Sequence, residues 1–203
     1  FGVSMPMPDF ENTGCIVLWG HNPSATWLAF GTRVADARAR GAKLVVVDPR
    51  RVGFASKADE WLRVRPGSDG ALALGIAGVM IDEDLFDRSF VREWTNGPFL
   101  VRQDTGCLLT GADLSSTGDA AMRVAWDETL NAPVLYDVTA GSYERADADV
   151  ALAGSFDVPG HQGVIQCRPA FQLYHDQCRQ YSPERVEEIS WIPAEQVRST
   201  ARL

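Results

Sequence analysis

Two short apolar runs frame this sequence: CIVLWG at 15–20 and KLVVVD at 43–48. Continuous runs of this length, rich in β-branched residues, suit strands that are covered on both faces. Between them Trp27, Phe30, Val34 and Ala37 recur at helical spacing, over a helix expected from about Ser24 to Arg40. Arg38 and Arg40 fall in its last turn, and Gly41 stands where a C-terminal cap belongs. Strand, helix and strand joined by short loops predict a right-handed βαβ unit with parallel strands. That unit confines the chain to a layered α/β fold.

The pattern continues. EWLRVRPG (60–67) reads as a third strand that runs into a Pro-Gly turn. SDGALALGIAGVMI (68–81) is apolar nearly all round and predicts a buried helix, with Ser68 or Asp69 at its N-cap. LFDRSFVREW (85–94) predicts another, with Phe86, Phe90 and Trp94 at i, i+4 and i+8. Helical periodicity fades from 95 to 168, where APVLYDV (132–138), DVALAGSFDV (149–158) and GVIQCR (163–168) read as strands or extended segments. The tail returns to helix in PAFQLYHDQCRQY (169–181, with Pro169 at N1), SPERVEEI (182–189) and PAEQVRSTARL (193–203). The expected architecture is α/β. A Rossmann-like doubly wound parallel sheet with flanking helices takes up 1–102. An irregular β-containing insertion follows over 103–168, then a helical tail over 169–203.

Bulk properties remove several function classes. Of 203 residues 45% are hydrophobic and 23% charged, a composition that suits a globular domain. A net charge of −8 argues against a nucleic-acid or anionic-membrane surface. No apolar stretch is as long as a membrane span. Cys15, Cys107, Cys167 and Cys178 form no CxxC pair, which argues against a zinc knuckle or an iron–sulfur cluster held by this chain. Their plain reading is buried thiols in a reducing compartment; this favours the cytoplasm, with an exported, periplasmic parent as the alternative. His175 and Cys178 stand at i, i+3 with no further ligand nearby in sequence, so no metal site is assigned. His161 reads as a loop residue, and the acidic run 144–151 as a solvated loop.

Ligands of open parallel sheets sit at the carboxyl ends of the strands, and three loops lie there. In GHNPS (20–24), Gly20 permits a sharp turn, Asn22 adds a side-chain donor, and free N–H groups near Ser24 and Ala25 suit a phosphate. In DPRR (48–51), Asp48 can accept both hydroxyls of a ribose, with Arg50 or Arg51 near a pyrophosphate; the plainer reading is a solvated turn. In RPGSDG (65–70), Asp69 can accept two N–H bonds from a guanine edge. A nicotinamide site is a weak fit, because GxGxxG is missing after the first strand.

Taken together, VLWGHNPSATW, GAKLVVVDPRR and KADEWLRVRPGSDGALALGIAGVMI resemble, in order and spacing, three blocks of the molybdopterin oxidoreductase family, of the dimethyl sulfoxide reductase and formate dehydrogenase type. DRSFVREWTNG and YSPERVEEISWIPAEQVRSTARL resemble its later segments; the likeness omits about 103–165. The resemblance implies a bis-molybdopterin guanine dinucleotide cofactor, carrying molybdenum or tungsten, with this domain holding one guanine dinucleotide. Gly20, His21 and Asn22 would face the phosphates, Asp48 and Arg50 the ribose and its surroundings, and Gly67, Ser68 and Asp69 the base.

The family's cysteine cluster for a 4Fe–4S centre, its metal-ligating residue and its C-terminal barrel have no counterpart in this sequence. The resemblance therefore implies an interior portion of a larger catalytic subunit, inactive alone. Its partners would be the remainder of that catalytic subunit, together with an iron–sulfur electron-transfer subunit. Two alternatives stand beside it. One is a cofactor-free scaffold, as in the large iron–sulfur subunit of respiratory complex I. The other is an ordinary nucleotide-binding Rossmann module.

Overall fold

A computed structural model of the chain describes residues 8–203; the seven before them, where the region expected over 1–102 begins, lie outside the described residues. The chain runs β1 (Cys15–Trp19), α1 (Pro23–Thr26), α2 (Leu28–Ala39) and β2 (Lys43–Val47). After a 3-10 turn at Gly53–Lys57 come β3 (Glu60–Leu62), α3 (Asp69–Asp82), α4 (Arg88–Trp94), β4 (Leu100–Arg102) and α5 (Gly111–Leu114). Then follow β5 (Arg123–Asp127), β6 (Ala132–Asp137), β7 (Ser142–Tyr143), β8 (Phe156–Gly160) and β9 (Gly163–Pro169). The last helices are α6 (Ala170–Arg179), α7 (Pro183–Ser190) and α8 (Ala194–Ala201). Two compact units result: one joins the residues up to Leu85 with Cys178–Leu203, and the other is Phe86–Gln177.

In the first unit β1, β2 and β3 form a parallel sheet in that order, with Val47 opposite both Trp19 and Leu62. The unbroken apolar run of β2 follows from burial on both faces, since successive side chains alternate. Leu44 and Val46 join Ile16, Leu18, Val34 and Ala37 in one core, beneath α2. Val45 and Val47 join Leu62, Leu72, Val186, Ile192 and Val197 in the other, beneath α3, α7 and α8. The helices after residue 182 thus supply part of the sheet's second covering layer.

Asp59, just before β3, ties the sheet together. It accepts the Leu44 N–H at 2.9 Å and pairs with Lys43 at 3.5 Å and Arg38 at 3.6 Å. The Leu44 backbone bond holds its carboxyl below the usual carboxylate range, with Lys43 and Arg38 adding to the effect and burial opposing it. A carboxyl whose pKa falls on folding stabilises the native state above its unfolded value. That stability is lost as pH drops through the folded value. Asp59→Asn is expected to lower stability at neutral pH and to flatten the decline below about pH 4. Denaturant midpoints between pH 7 and pH 3 measure this; parallel wild-type and variant profiles would contradict it.

Several local expectations are corrected. The helix expected from Ser24 to Arg40 is split at Trp27, whose backbone is extended (φ −155°, ψ 83°). The Thr26 hydroxyl returns to the Asn22 carbonyl at 3.0 Å, a local bond that competes with helix propagation. Trp27, counted on the apolar stripe, is 52% exposed and stacks on Phe30 at 5.3 Å. The third strand stops at Leu62 rather than running to the Pro-Gly turn. The next ladder bond would run from the Val64 N–H to the Asp48 carbonyl, but that N–H folds back to the Leu62 carbonyl at 2.9 Å and the Asp48 carbonyl takes the Trp61 indole N–H at 2.9 Å.

The β-containing insertion is built into the second unit, which holds two antiparallel sheets, ordered β4-β9-β8 and β5-β6-β7. Leu100, Leu109, Val124, Trp126, Val158 and Cys167 share a core. The segment expected as strand over 149–158 is regular strand only from Phe156, and β4 and β5 carry no sequence-level expectation. Pro169 ends β9 instead of opening α6. The stripe Phe86, Phe90 and Trp94 is not a core face. Asp87 Oδ1 accepts the Phe90 N–H at 2.9 Å and starts α4 at Arg88; Phe90 is 56% and Trp94 77% exposed. Cys167 and Cys178 are buried and Cys15 half-buried, but Cys107 is exposed, against the expectation for thiols. Burial pushes the Cys167 thiol up to about 11. Among the described residues no helix is long and apolar enough to cross a membrane.

Candidate functional site

The parallel register brings the carboxyl ends of all three strands, at Trp19, Val47 and Leu62, to one edge. The ladder continues one residue further on two strands. Gly20 N–H donates to the Val47 carbonyl at 2.9 Å, and Asp48 N–H to the Leu62 carbonyl at 3.2 Å. The loops that begin at Gly20 and Asp48 therefore leave from fixed points.

Gly20 adopts φ +60°, with open space where a Cβ would stand. His21 lies edge-on to Phe30 at 5.3 Å. The Asn22 carbonyl accepts the Ala25 and Thr26 N–H groups at 3.0 and 3.2 Å. The Ala25 amide is thereby turned inward, a correction to its expected role at a phosphate; Ser24 lies exposed in the single turn of α1. The Asn22 Oδ1 is buried without a hydrogen-bond donor. It sits where a Cβ on Gly53 would come within 2.5 Å, so only glycine at 53 makes room for it.

The DPRR loop combines a structural and an open half. Asp48 Oδ1 accepts the Arg50 N–H at 2.7 Å, closing a tight side-chain turn. The Asp48 carbonyl accepts the Trp61 indole N–H at 2.9 Å, and the Arg51 guanidinium lies 5.4 Å over the Trp61 ring. Arg51 is thus occupied by stacking, whereas Arg50 stands exposed.

In the RPGSDG loop Gly67 has φ +86° with open space at its Cβ position. The Ser68 hydroxyl donates back to the Arg65 carbonyl at 2.7 Å, so Ser68 holds the N-cap position of α3 without capping it. Asp69, the other expected cap, accepts the Trp19 indole N–H on Oδ1 at 2.8 Å. Arg65 donates its N–H to the Ser190 carbonyl at 2.9 Å, and its guanidinium lies 5.3 Å over the Trp191 ring. Trp19, Gly53, Trp61 and Trp191 are the members of this edge that sequence reasoning did not assign. For Trp19 and Trp61 the local signal is a tryptophan at or near a strand end; Gly53 and Trp191 carry no such signal.

The edge therefore offers acceptors to an incoming group. Asp48 and Asp69 each engage one carboxylate oxygen with protein and leave Oδ2 without a protein partner. Asn22 Oδ1, by contrast, is closed off against Gly53 and offers nothing outward. Ribose hydroxyls and guanine N–H groups are donors, so the residues fit a guanine nucleotide. Hollows also lie elsewhere: one of about 470 Å³ lined by Phe10, Ile16 and Phe30, and two of about 560 and 740 Å³ in the second unit. Among the described residues no three His, Cys, Asp or Glu side chains gather as a metal site.

A parallel sheet with covered faces and loops converging at its carboxyl edge defines a Rossmann-like α/β class. Within that class the model of the molybdopterin oxidoreductase family matches residues 2–155, and the chain belongs to that family. It is 30% identical to the alpha subunit of perchlorate reductase from Dechloromonas aromatica, over 96% of this chain and 24% of that one. It is 32% identical to a sulfite dehydrogenase subunit of Allochromatium vinosum, over 96% of this chain and 20% of that one. Among solved structures it matches acetylene hydratase from Pelobacter acetylenicus with a TM-score of 0.55 at 22% identity. That match covers 95% of this chain and 16% of the other and speaks to fold alone. The chain spans 24% and 20% of the length of the two curated relatives named here.

Proposed function

We propose that this chain seats the guanine end of one molybdopterin guanine dinucleotide in a bis-molybdopterin guanine dinucleotide oxidoreductase, carrying molybdenum or tungsten. The observation that carries this reading is the placing of Asp48 and Asp69 at one sheet edge, each with an unengaged Oδ2. Asp48 would take the ribose and Asp69 the base. Gly20, His21, Asn22, Ser24 and Arg50 would lie along the phosphates, and Gly67 and Ser68 beside the base. When bound, such a cofactor supplies the metal at which oxygen-atom or hydride-type transfer takes place. This chain's residues hold and orient the nucleotide end. Its partners would be the remainder of the catalytic subunit, with the family's 4Fe–4S cluster, together with an iron–sulfur electron-transfer subunit. The two relatives are named for opposite redox directions, a reductase and a dehydrogenase, so this reading ties the chain to cofactor seating and not to one substrate. A cofactor-free scaffold would have no use for two carboxylates held at one sheet edge, each with an oxygen left over.

The test is titration of the purified, cofactor-free protein with GDP and ADP. GDP is expected to bind more tightly; equal binding overturns the guanine reading. Asp48→Asn adds a prediction. It keeps an oxygen for the Arg50 amide, so the turn survives, but removes the charged acceptor for the ribose hydroxyls. GDP and ADP affinities should both fall by about one decade. A loss confined to GDP would mean that Asp48 touches the base instead.

A further inference from the structure

We infer that Trp19 is the positioning residue that sets guanine selectivity at this edge, by holding the Asp69 carboxylate turned away from its own helix. The inference rests on the guanine-dinucleotide reading above and assigns its selectivity to a residue outside the three loops. Trp19 ends β1 and Asp69 opens α3, fifty positions apart, and the indole Nε1–H donates to Oδ1 at 2.8 Å.

A carboxylate in the first turn of a helix ordinarily bonds the unpaired amides beside it. Here the first turn of α3 has no side-chain cap, because Ser68 is bonded to Arg65 and Asp69 to Trp19. An indole nitrogen is a donor only, so it fixes the carboxylate without competing for its outward lone pairs. Guanine presents N1–H and an exocyclic amine side by side, a two-donor edge that a fixed carboxylate meets as a pair. Hypoxanthine lacks the amine, and adenine offers no such pair. A carboxylate free to swing would meet one donor as well as two, and selectivity would fall.

Core packing does not account for Trp19. It remains 37% exposed, and along β1 it falls with Val17 on the alternate positions left open to solvent, while Ile16 and Leu18 are buried. Its backbone is nonetheless rigid, paired opposite Val47 and followed by the Gly20 ladder bond. A rigid strand end carrying a donor is suited to aiming a carboxylate on a neighbouring helix.

The purified protein and its variants are titrated with GDP, IDP and ADP by calorimetry. Trp19→Phe is expected to weaken GDP about tenfold, to bring the GDP-to-IDP ratio toward one, and to leave ADP binding and melting temperature unchanged. Trp19→His returns a ring N–H and should recover part of the ratio. A wild-type GDP-to-IDP ratio in Trp19→Phe, with Asp69→Asn having lost it, overturns this inference alone. Equal GDP and ADP binding by wild type overturns the guanine-dinucleotide reading and this inference with it. Should Trp19→Phe not fold, the Trp19 indole N–H resonance in ¹⁵N-labelled wild type decides. A shift on adding GDP but not ADP supports the assignment, and an unmoved resonance refutes it.

Discussion

Asp69→Asn is expected to lower GDP affinity by one to two decades and to leave ADP affinity within about twofold. Loss of a hydrogen bond to a charged group costs about 1.5–3 kcal/mol, at about 1.4 kcal/mol per decade. The substitution keeps the shape of the side chain and an oxygen for the Trp19 indole, so the link from β1 to α3 survives. What changes is the outward atom. An amide NH₂ in place of Oδ2 sets donor against donor at the guanine edge, while ADP, which places no matching donor pair there, is unaffected. Asp69 is part-exposed and caps nothing, so the melting temperature should hold. Equal losses for GDP and ADP would locate the effect in the field at the α3 N-terminus instead of at the base. Unaltered GDP binding would place base recognition elsewhere.

The first unit was legible wherever a local signal and a tertiary role coincide. VVV before Asp-Pro announces β2, and all of its apolar residues are needed because both faces are covered. The helical run 68–81 emerges as α3, displaced by one residue. The helices after residue 182 were legible as helices but not as a layer of the sheet. Their amphipathic period says that a face is covered, not by what, and the contact of Val186 and Val197 with Val45 is long-range. The period misleads at α4, where Phe90 and Trp94 repeat correctly but face solvent. In the second unit β4 is three residues long and gains its pairing from far along the chain, Leu100 from Pro169, whereas β5 pairs locally with β6, Trp126 with Pro133.

At the candidate site the sequence identified loops but not their supports. Asp48 stands out because it follows β2 directly, and Asp69 because it opens a helix just past a Pro-Gly turn. The indoles that bond the Asp48 carbonyl and the Asp69 carboxylate, Trp61 and Trp19, lie 13 and 50 residues away. Ser68 holds the expected N-cap position of α3, but no side chain caps the helix, for a related reason. Both capping residues, Ser68 and Asp69, are diverted to other partners, so the local rule is overridden at the position proposed to meet the ligand.

The second large effect concerns how α3 is held. Gly75→Ala is expected to destabilise the protein by about 2 kcal/mol, although alanine is the better helix former by about 1 kcal/mol. A methyl at Gly75 would fall inside van der Waals contact with Val186 Cγ2, with the Tyr181 carbonyl oxygen 3.2 Å away behind it. Val186 is fully buried and β-branched, so it has no alternative rotamer to retreat to, and the seam between α3 and α7 must open. Gly70, in the first turn of the same helix, has nothing within 4 Å of its Cβ position. Gly70→Ala should therefore gain about 0.5–1 kcal/mol, from reduced freedom of the unfolded chain. The contrast separates packing from helix propensity, because one substitution in one helix is made at two levels of crowding. Val186→Ala supplies the third arm: alone it leaves a cavity and costs stability, but combined with Gly75→Ala the two volume changes offset. The double variant should be more stable than the sum of the single effects predicts, by about 1 kcal/mol or more. Denaturant unfolding of wild type, the two single variants and the double gives the coupling directly. Strict additivity would mean that α3 and α7 are not packed through Gly75, and that the seat of Asp69 is set by the sheet alone.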